Sequence, residues 1–233
     1  MIEITWLGHA TIEMRLESGE VILVDPWIEH NPLYPKSHQF SRLDAILITH
    51  GHFDHLPDAV PVAKKFKPKV VGMNEVAGWL GSKGVENCIG MNKGGTVEVS
   101  GIQATMTHAV HSSGIQDGDQ MIYGGEAAGF VVTLPDRRAI YFAGDTAAFS
   151  DMQLIAQLYK PALGFLPIGD HYTMGPREAA LACRLLNLKQ AVPIHFATFP
   201  VLTGTPAAFS AELKTLGQST EMWPLEIGKT VKW

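Results

Sequence analysis

The sequence predicts a single α/β domain spanning residues 1–233, with β-sheet in its middle and helices outside. Three observations predict it. Short apolar strands recur along the whole chain, helix signals alternate with strands in the C-terminal half, and no linker or low-complexity tract interrupts the order. Ile2, Ile4 and Trp6 share one parity, and Ile12, Met14 and Leu16 share another, so the chain opens with two half-buried strands. Ser18-Gly19-Glu20 is a turn. Val21-Ile22-Leu23-Val24 is a continuous apolar strand that stops at Asp25-Pro26, and Ala45 to Thr49 is another that runs straight into a histidine-dense loop. Pro57 suits a first helical turn, and the segment from there to Phe66 reads as helix. Lys69 to Gly72 is a short strand, and Asn74 to Lys83 a helix ended by Gly84. Strands follow at 96–99, 102–109, 129–134 and 139–142, the last two joined by a Pro135-Asp136 turn. Helices are expected over 151–159 and 176–187, with Pro176 in the first turn of the second. Thr205-Pro206 reads as an N-cap and first helical residue of a helix to Leu216. Strands at 191–194 and 221–227 complete the series.

Composition narrows the function classes. A chain of 233 residues can bury roughly 70% of its unfolded surface, enough for one substantial core. With 46% apolar and 18% charged residues it does not read as disordered. Its 18 basic and 23 acidic side chains give a net charge of −5, against the basic balance of nucleic-acid binders. Two cysteines, Cys88 and Cys183, cannot build a disulfide framework or a Cys-rich zinc module, and both are expected to act as small buried hydrophobes in a reducing compartment. The N-terminus lacks a basic segment followed by an apolar run, so no secretory signal is expected. The charge-free stretch from Gln190 to Ala211 contains three prolines, which disfavours a membrane-spanning helix. A soluble, cytoplasmic protein without membrane insertion is the expectation.

Ten histidines stand out, and three of them fall in Thr49-His50-Gly51-His52-Phe53-Asp54-His55. Imidazoles at i and i+2 on extended backbone point the same way, so His50 and His52 can chelate one metal. Asp54 and His55 follow as the chain bends toward a helix and can face a second ion. With ten His and ten Asp in the chain, chance produces this spacing about once in a thousand such sequences.

The string resembles the signature of the metallo-β-lactamase superfamily. Trp6-Leu7-Gly8-His9-Ala10-Thr11, Val24-Asp25-Pro26-Trp27, His111-Ser112-Ser113-Gly114, Gly144-Asp145-Thr146, Thr173-Met174-Gly175-Pro176 and Pro193-Ile194-His195 are similar to a branch of small prokaryotic metal-dependent hydrolases. Ascorbate-phosphate lactonase and the N-acylethanolamine phospholipases neighbour that branch. The resemblance implies a four-layer αββα sandwich with a one- or two-metal site at the sheet edges.

It also implies where the other ligands lie. A third histidine for the first metal is due after a downstream strand, and Thr107-His108-Ala109-Val110-His111 offers two. His108 continues the parity of Ile102, Ala104 and Met106 and can point into the core, whereas His111 lies past the strand, where a loop ligand belongs. The family pattern makes Asp145 a bridge between the metals and His195 the last ligand of the second. Asp25 is either a carboxylate that receives a ligand histidine's spare N–H or a turn former before Pro26. His9, Asp170 and His171 sit in loops and either line the pocket or serve structure alone.

Other motifs are weak. Gly-x-Ser-x-Gly is missing, Ser112 and Ser113 read as loop shapers, and Lys93-Gly94-Gly95 lacks the rest of a phosphate loop. Lys64, Lys65, Lys67 and Lys69 read as a solvated face near a helix C-terminus. The implied activity is hydrolysis by a metal-bound hydroxide of an ester, lactone, phosphodiester or related small-molecule bond. His50, His52 and His111 would hold one metal, Asp54, His55 and His195 the other, and Asp145 would bridge. Asp54 could also orient the nucleophile. Two Zn²⁺ ions are expected first, with Mn²⁺, Fe or Ni²⁺ open on ligand type. The competing expectations are an iron oxidoreductase for sulfur oxygenation and a metal-stabilised binding protein without turnover. A small-molecule substrate and no nucleic-acid partner are expected, and a homo-oligomer is left open.

Overall fold

A computed structural model describes residues 1–233. β1 (Glu3–Trp6), β2 (Ile12–Arg15) and β3 (Val21–Val24) form an antiparallel meander. From β3 onward the pairing turns parallel through β4 (Ala45–Leu47), α1 (Ala59–Phe66), β5 (Lys69–Met73), α2 (Asn74–Ser82) and β6 (Cys88–Met91). Every residue of β3 and β4 is buried, as parallel strands covered on both faces require.

The second sheet repeats this plan. β7 (Thr96–Val99) and β8 (Ile102–His108) are antiparallel, and a separate hairpin of β9 (Gly114–Asp117) and β10 (Gln120–Tyr123) leads to β11 (Ala128–Thr133), which pairs antiparallel with β8 and with β12 (Ala139–Phe142). Parallel pairings then carry the sheet through α3 (Met152–Tyr159), β13 (Leu163–Pro167), α4 (Pro176–Leu186), β14 (Gln190–Ile194), α5 (Pro206–Thr215) and β15 (Glu221–Met222). β16 (Thr230–Lys232) returns to β1, so each sheet has seven strands, in the orders β16-β1-β2-β3-β4-β5-β6 and β15-β14-β13-β12-β11-β8-β7.

Side-chain alternation stacks the layers. Phe130 and Val132 of β11 and Ile140 and Phe142 of β12 join a 44-residue core with Ile4, Met14 and Leu23 of the first sheet, which also takes Val62 of α1 and Leu80 of α2. Their neighbours Val131 and Tyr141 face the other way, into an 18-residue cluster with Ile155, Ala179, Cys183 and Phe209 of α3, α4 and α5. The result is the αββα sandwich. No helix is long and apolar enough to cross a membrane.

Several details differ from the sequence expectations. β13 is a fully buried central strand that Gly164 and Pro167 conceal, with the Leu188 side chain packed directly over the glycine. β6, the β9–β10 hairpin and the short edge strand β16 are also additional, and the strand expected over 221–227 stops at Met222. Thr205 caps α5 as expected, its Oγ1 accepting from Ala208 N at 3.1 Å. Cys183 is buried, but Cys88 is half-buried on the edge strand β6, with its thiol directed at Val85 O. The expectation that both cysteines lie in the core holds for Cys183 alone.

The topology gathers strand ends. β3 and β4 of one sheet, and β12 and β14 of the other, run out on the same side, delivering Asp25, the 49–55 loop, Asp145 and His195 to one place. Ala128 N donates to Thr49 O at 3.0 Å, stitching the two sheets together there. Gly144 makes the approach close enough, since a Cβ on it would stand 2.7 Å from Ala128 O and 2.8 Å from Thr49 Cβ, and its φ is +62°.

Candidate metal centre

Proton counting from Asp25 outward fixes how the histidines face. Asp25 Oδ1 accepts from Thr49 N at 2.8 Å, and Oδ2 accepts from Thr49 Oγ1 at 2.7 Å and from His55 Nδ1 at 2.8 Å. The Thr49 hydroxyl has one hydrogen and gives it to Asp25, so it accepts from His50 Nδ1, 3.0 Å away. Both imidazoles therefore turn Nε2 inward. His50 Nε2 lies 3.0 Å from His52 Nδ1, whose other nitrogen is 3.2 Å from Ser112 Oγ. Ser113 anchors the same loop, accepting from Gly51 N and donating to Gly124 O, both at 3.1 Å.

Asp145 sits at the centre. Its Oδ2 is 3.0 Å from His195 Nε2, 3.6 Å from His111 Nε2 and 3.8 Å from His50 Nε2, and its Oδ1 is 3.4 Å from His55 Nε2. Asp54 completes the group, with Oδ2 3.6 Å from His195 Nε2 and Oδ1 4.0 Å from His55 Nε2. Two ligands each about 2.1 Å from a tetrahedral cation stand about 3.4 Å apart, which is the spacing seen throughout. The donor atoms fall into three overlapping sets, each within 4.8 Å: His50, His52 and His111; His50, His55 and Asp145; and His9, Asp54, His55 and His195. His55 Nε2, Asp145 Oδ1 and His195 Nε2 are buried without a hydrogen-bond partner. Orphaned polar atoms of this kind are costly to bury unless something else ligates them, so the residues present fit a metal.

The electrostatics divide the donors: burial works to lower His55 and His195, but Asp145 and Asp54 raise them, His55 well above the usual imidazole value and His195 to about 9, so these two imidazoles hold protons that a metal would displace. Burial works to raise the Asp145 carboxyl, but His195 and His55 hold it well below the usual carboxylate range. Burial likewise works to raise Asp54, but His55 and His195 nearby and the bond from His9 keep it ionised. Burial lowers His50, His52 and His111, leaving neutral imidazoles with free lone pairs. Asp25, His9 and His195 all hold positive φ, at 46°, 53° and 55°, a backbone strain kept only where surrounding contacts over-determine it. Those contacts include Asp25 N to Leu47 O, Trp6 Nε1 to His9 O and His195 N to His9 O.

The structure thus brings together His50, His52, Asp54, His55, His111, Asp145 and His195, with Asp25 behind them. His9 joins them directly: Nε2 is 3.1 Å from Asp54 Oδ2 and Nδ1 is 2.8 Å from Thr198 Oγ1. Burial pushes its pKa down to about 3, so it is neutral. His108 does not point into the core. It is exposed at the end of β8, against Lys93 Nζ and the edge of Phe149. Asp170 and His171 are exposed and stay outside the donor group, Asp170 Oδ1 accepting from His171 N. Their neighbour Tyr172 instead lines a cleft of about 330 Å³ with His52, Phe53, Asp54, His111 and Phe199. Sequence reading missed these aromatics and Thr198, because an isolated aromatic ordinarily signals core packing.

Comparison with known proteins adds a lineage to this geometry. Residues 20–196 match the family model described as the beta-lactamase superfamily domain. The chain is 59% identical to a "UPF0173 metal-dependent hydrolase" of Solibacter usitatus across 100% of both chains, and 51% identical to one of Koribacter versatilis across 98% of this chain and 97% of that one. Among solved structures it superimposes on Igni18, a metallo hydrolase from Ignicoccus hospitalis, with a TM-score of 0.85 and 33% identity, over 99% of this chain and 97% of that one.

Proposed function

Because the chain belongs to the beta-lactamase superfamily, and within it to the UPF0173 metal-dependent hydrolases, we propose that its converging donors hold two divalent metal ions serving hydrolysis of a small-molecule bond. His50, His52 and His111 hold one ion, Asp54, His55 and His195 the other, and Asp145 is shared. Zinc is the first candidate, since neutral imidazoles and carboxylates suit it, and manganese, iron and nickel accept the same donors. The observation that carries the reading is the single carboxylate of Asp145 lying 3.0–3.8 Å from four inward-turned imidazole nitrogens.

When bound, such ions supply Lewis acidity that lowers the pKa of a coordinated water to about 7. The protein's own residues do the rest. Asp25 and Thr49 fix the tautomers of His50 and His55, and Ser112 stands beside the outer nitrogen of His52. Asp54 Oδ2 accepts from His9 Nε2, which leaves Oδ1 as the oxygen that would accept a hydrogen bond from the attacking water and orient it. Residues 1–233 act as one unit in this reading, because the larger core draws on both sheets.

The test is metal content by mass spectrometry together with turnover of an ester, lactone and phosphodiester panel, for the wild type, His52→Ala and Asp145→Ala. Both variants are expected to lose metal and turnover in parallel. Full metal content with full turnover in either one would remove the assignment. Iron rather than zinc in unsupplemented protein would change the metal but not the ligands.

A further inference from the structure

The cleft beside the donors has a chemistry of its own. Trp27 is buried and stacks on Phe199, with ring centroids 5.6 Å apart and planes 24° from parallel. Phe53 meets both of these rings at 6.1 Å and is itself 59% exposed. The inner edge of this group touches His9, 4.9 Å from Trp27 and 5.7 Å from Phe199, and His9 is bonded to Asp54. Phe53 and Phe199 therefore form an aromatic wall of the cleft beside the donors, and the buried Trp27 backs it from behind. Tyr172, 56% exposed, also lines the cleft.

No lysine or arginine lines the cleft, which His52, Phe53, Asp54, His111, Tyr172 and Phe199 form. Sites for phosphate or carboxylate groups supply Arg or Lys to clamp them. Away from the donors an anionic substituent would meet only Phe53, Tyr172 and Phe199, whose ring faces are negative at the centre. An apolar arm would instead cover surface that otherwise stands in water, at about 25 cal/mol per Å².

Resting on the hydrolase reading above, we propose that the substrate is a small uncharged ester or lactone whose apolar or aryl arm lies along the Phe53–Phe199 wall, in the cleft that Tyr172 also lines. Its carbonyl then faces the donor group. Water's oxygen bonds to the carbonyl carbon, the carbon–oxygen single bond breaks, and the alkoxide takes the proton that water loses, giving a carboxylic acid and a free alcohol from an ester or one hydroxy acid from a lactone.

The test uses zinc-loaded full-length protein and p-nitrophenyl acetate, butyrate and hexanoate, with the p-nitrophenyl monoester of hexanedioic acid as an anionic arm of the same length. The kcat/KM is expected to rise about tenfold for each pair of buried methylenes, and hexanoate is expected to exceed the anionic ester at least tenfold. Phe53→Ala removes an exposed side chain that the core does not need, and it should flatten the chain-length series through KM. A flat wild-type series, preference for the anionic arm, or a full slope in both Phe53→Ala and Tyr172→Ala overturns the proposal. Isothermal titration with 2-butanone, 2-hexanone and 2-octanone, which cannot be hydrolysed, reads the wall without turnover. Affinity rising with chain length while no ester is cleaved supports the wall and overturns the ester assignment, and loss of the hydrolase reading itself would require that the lactone and phosphodiester panel also fail. Cleavage of all the esters with no length dependence in either experiment overturns the wall and leaves the hydrolase reading standing.

Discussion

Asp25 and His55 are locked together, the Asp25 Oδ2 oxygen accepting the His55 Nδ1 hydrogen at 2.8 Å with both side chains buried. The same oxygen takes the Thr49 hydroxyl, which in turn receives His50 Nδ1, so one carboxylate orients an imidazole of each proposed metal. Asp25→Asn keeps the size but offers one acceptor oxygen where two are used, and its amide hydrogens must face a donor, either Thr49 N or His55 Nδ1. Zinc affinity measured by chelator competition is expected to fall about 10- to 100-fold with the fold retained. Unchanged affinity would mean that His55 keeps its orientation without Asp25.

His9 holds Asp54 in the same manner from the opposite side. A neutral His9 carries one ring hydrogen, and the ionised Asp54 can only accept, so the hydrogen is on Nε2. Nδ1 then accepts from Thr198 Oγ1 at 2.8 Å, a closer acceptor than Phe196 O at 3.2 Å. His9→Gln can replace the Nε2 donor, whereas His9→Leu cannot. The leucine variant is expected to lower occupancy of the second ion and kcat by roughly tenfold or more, and the glutamine variant to recover a substantial part of both. Equal losses in the two variants would indicate that His9 acts by packing alone, against the His195 ring 3.9 Å away.

His111 and His108 can be told apart by metal counting. His111 Nε2 stands 3.6 Å from Asp145 Oδ2, whereas His108 is exposed and faces Lys93. His111→Ala is expected to lose about one equivalent of metal per chain and His108→Ala none, both read by mass spectrometry after dialysis. Loss of metal from His108→Ala with retention in His111→Ala would reverse the assignment.

The donors were legible in the sequence because coordination demands particular residue types, and because strand alternation marks where an apolar run stops. His195 follows β14 directly, Asp145 follows β12 after Ala143 and Gly144, and the 49–55 motif follows β4. Alternation misled at His108, the last residue of β8, where the parity of Met106 no longer predicts burial once the sheet ends. β13 was hidden because its glycine and proline read as breakers, although Gly164 lies directly under the Leu188 side chain in a fully buried strand. The aromatic wall was illegible for a different reason. Trp27, Phe53 and Phe199 lie far apart in the chain, and only the meeting of the two sheets' loops stacks them.

Gly144 tests whether that meeting of the sheets is needed for the centre. It sits at φ +62°, and a Cβ on it would press on Ala128 O and Thr49 Cβ at 2.7 and 2.8 Å. Ala128 and Thr49 are themselves joined by the 3.0 Å backbone bond that ties the second sheet to the 49–55 loop. In Gly144→Ala the left-handed backbone alone costs about 1–2 kcal/mol, and the methyl must push that joint apart. A stability loss of at least ~2 kcal/mol is expected, which for a domain of this size is a Tm lower by about 4–8 °C. The displacement also moves Asp145, the next residue, away from His50 and His55, so metal affinity is expected to fall with stability. Thermal unfolding of metal-free and zinc-loaded protein separates the two effects: the variant should lose part of the zinc-induced rise in Tm as well as its metal-free Tm. A variant with a lower metal-free Tm but an undiminished zinc-induced rise would show that the glycine serves the fold and that Asp145 reaches its place independently.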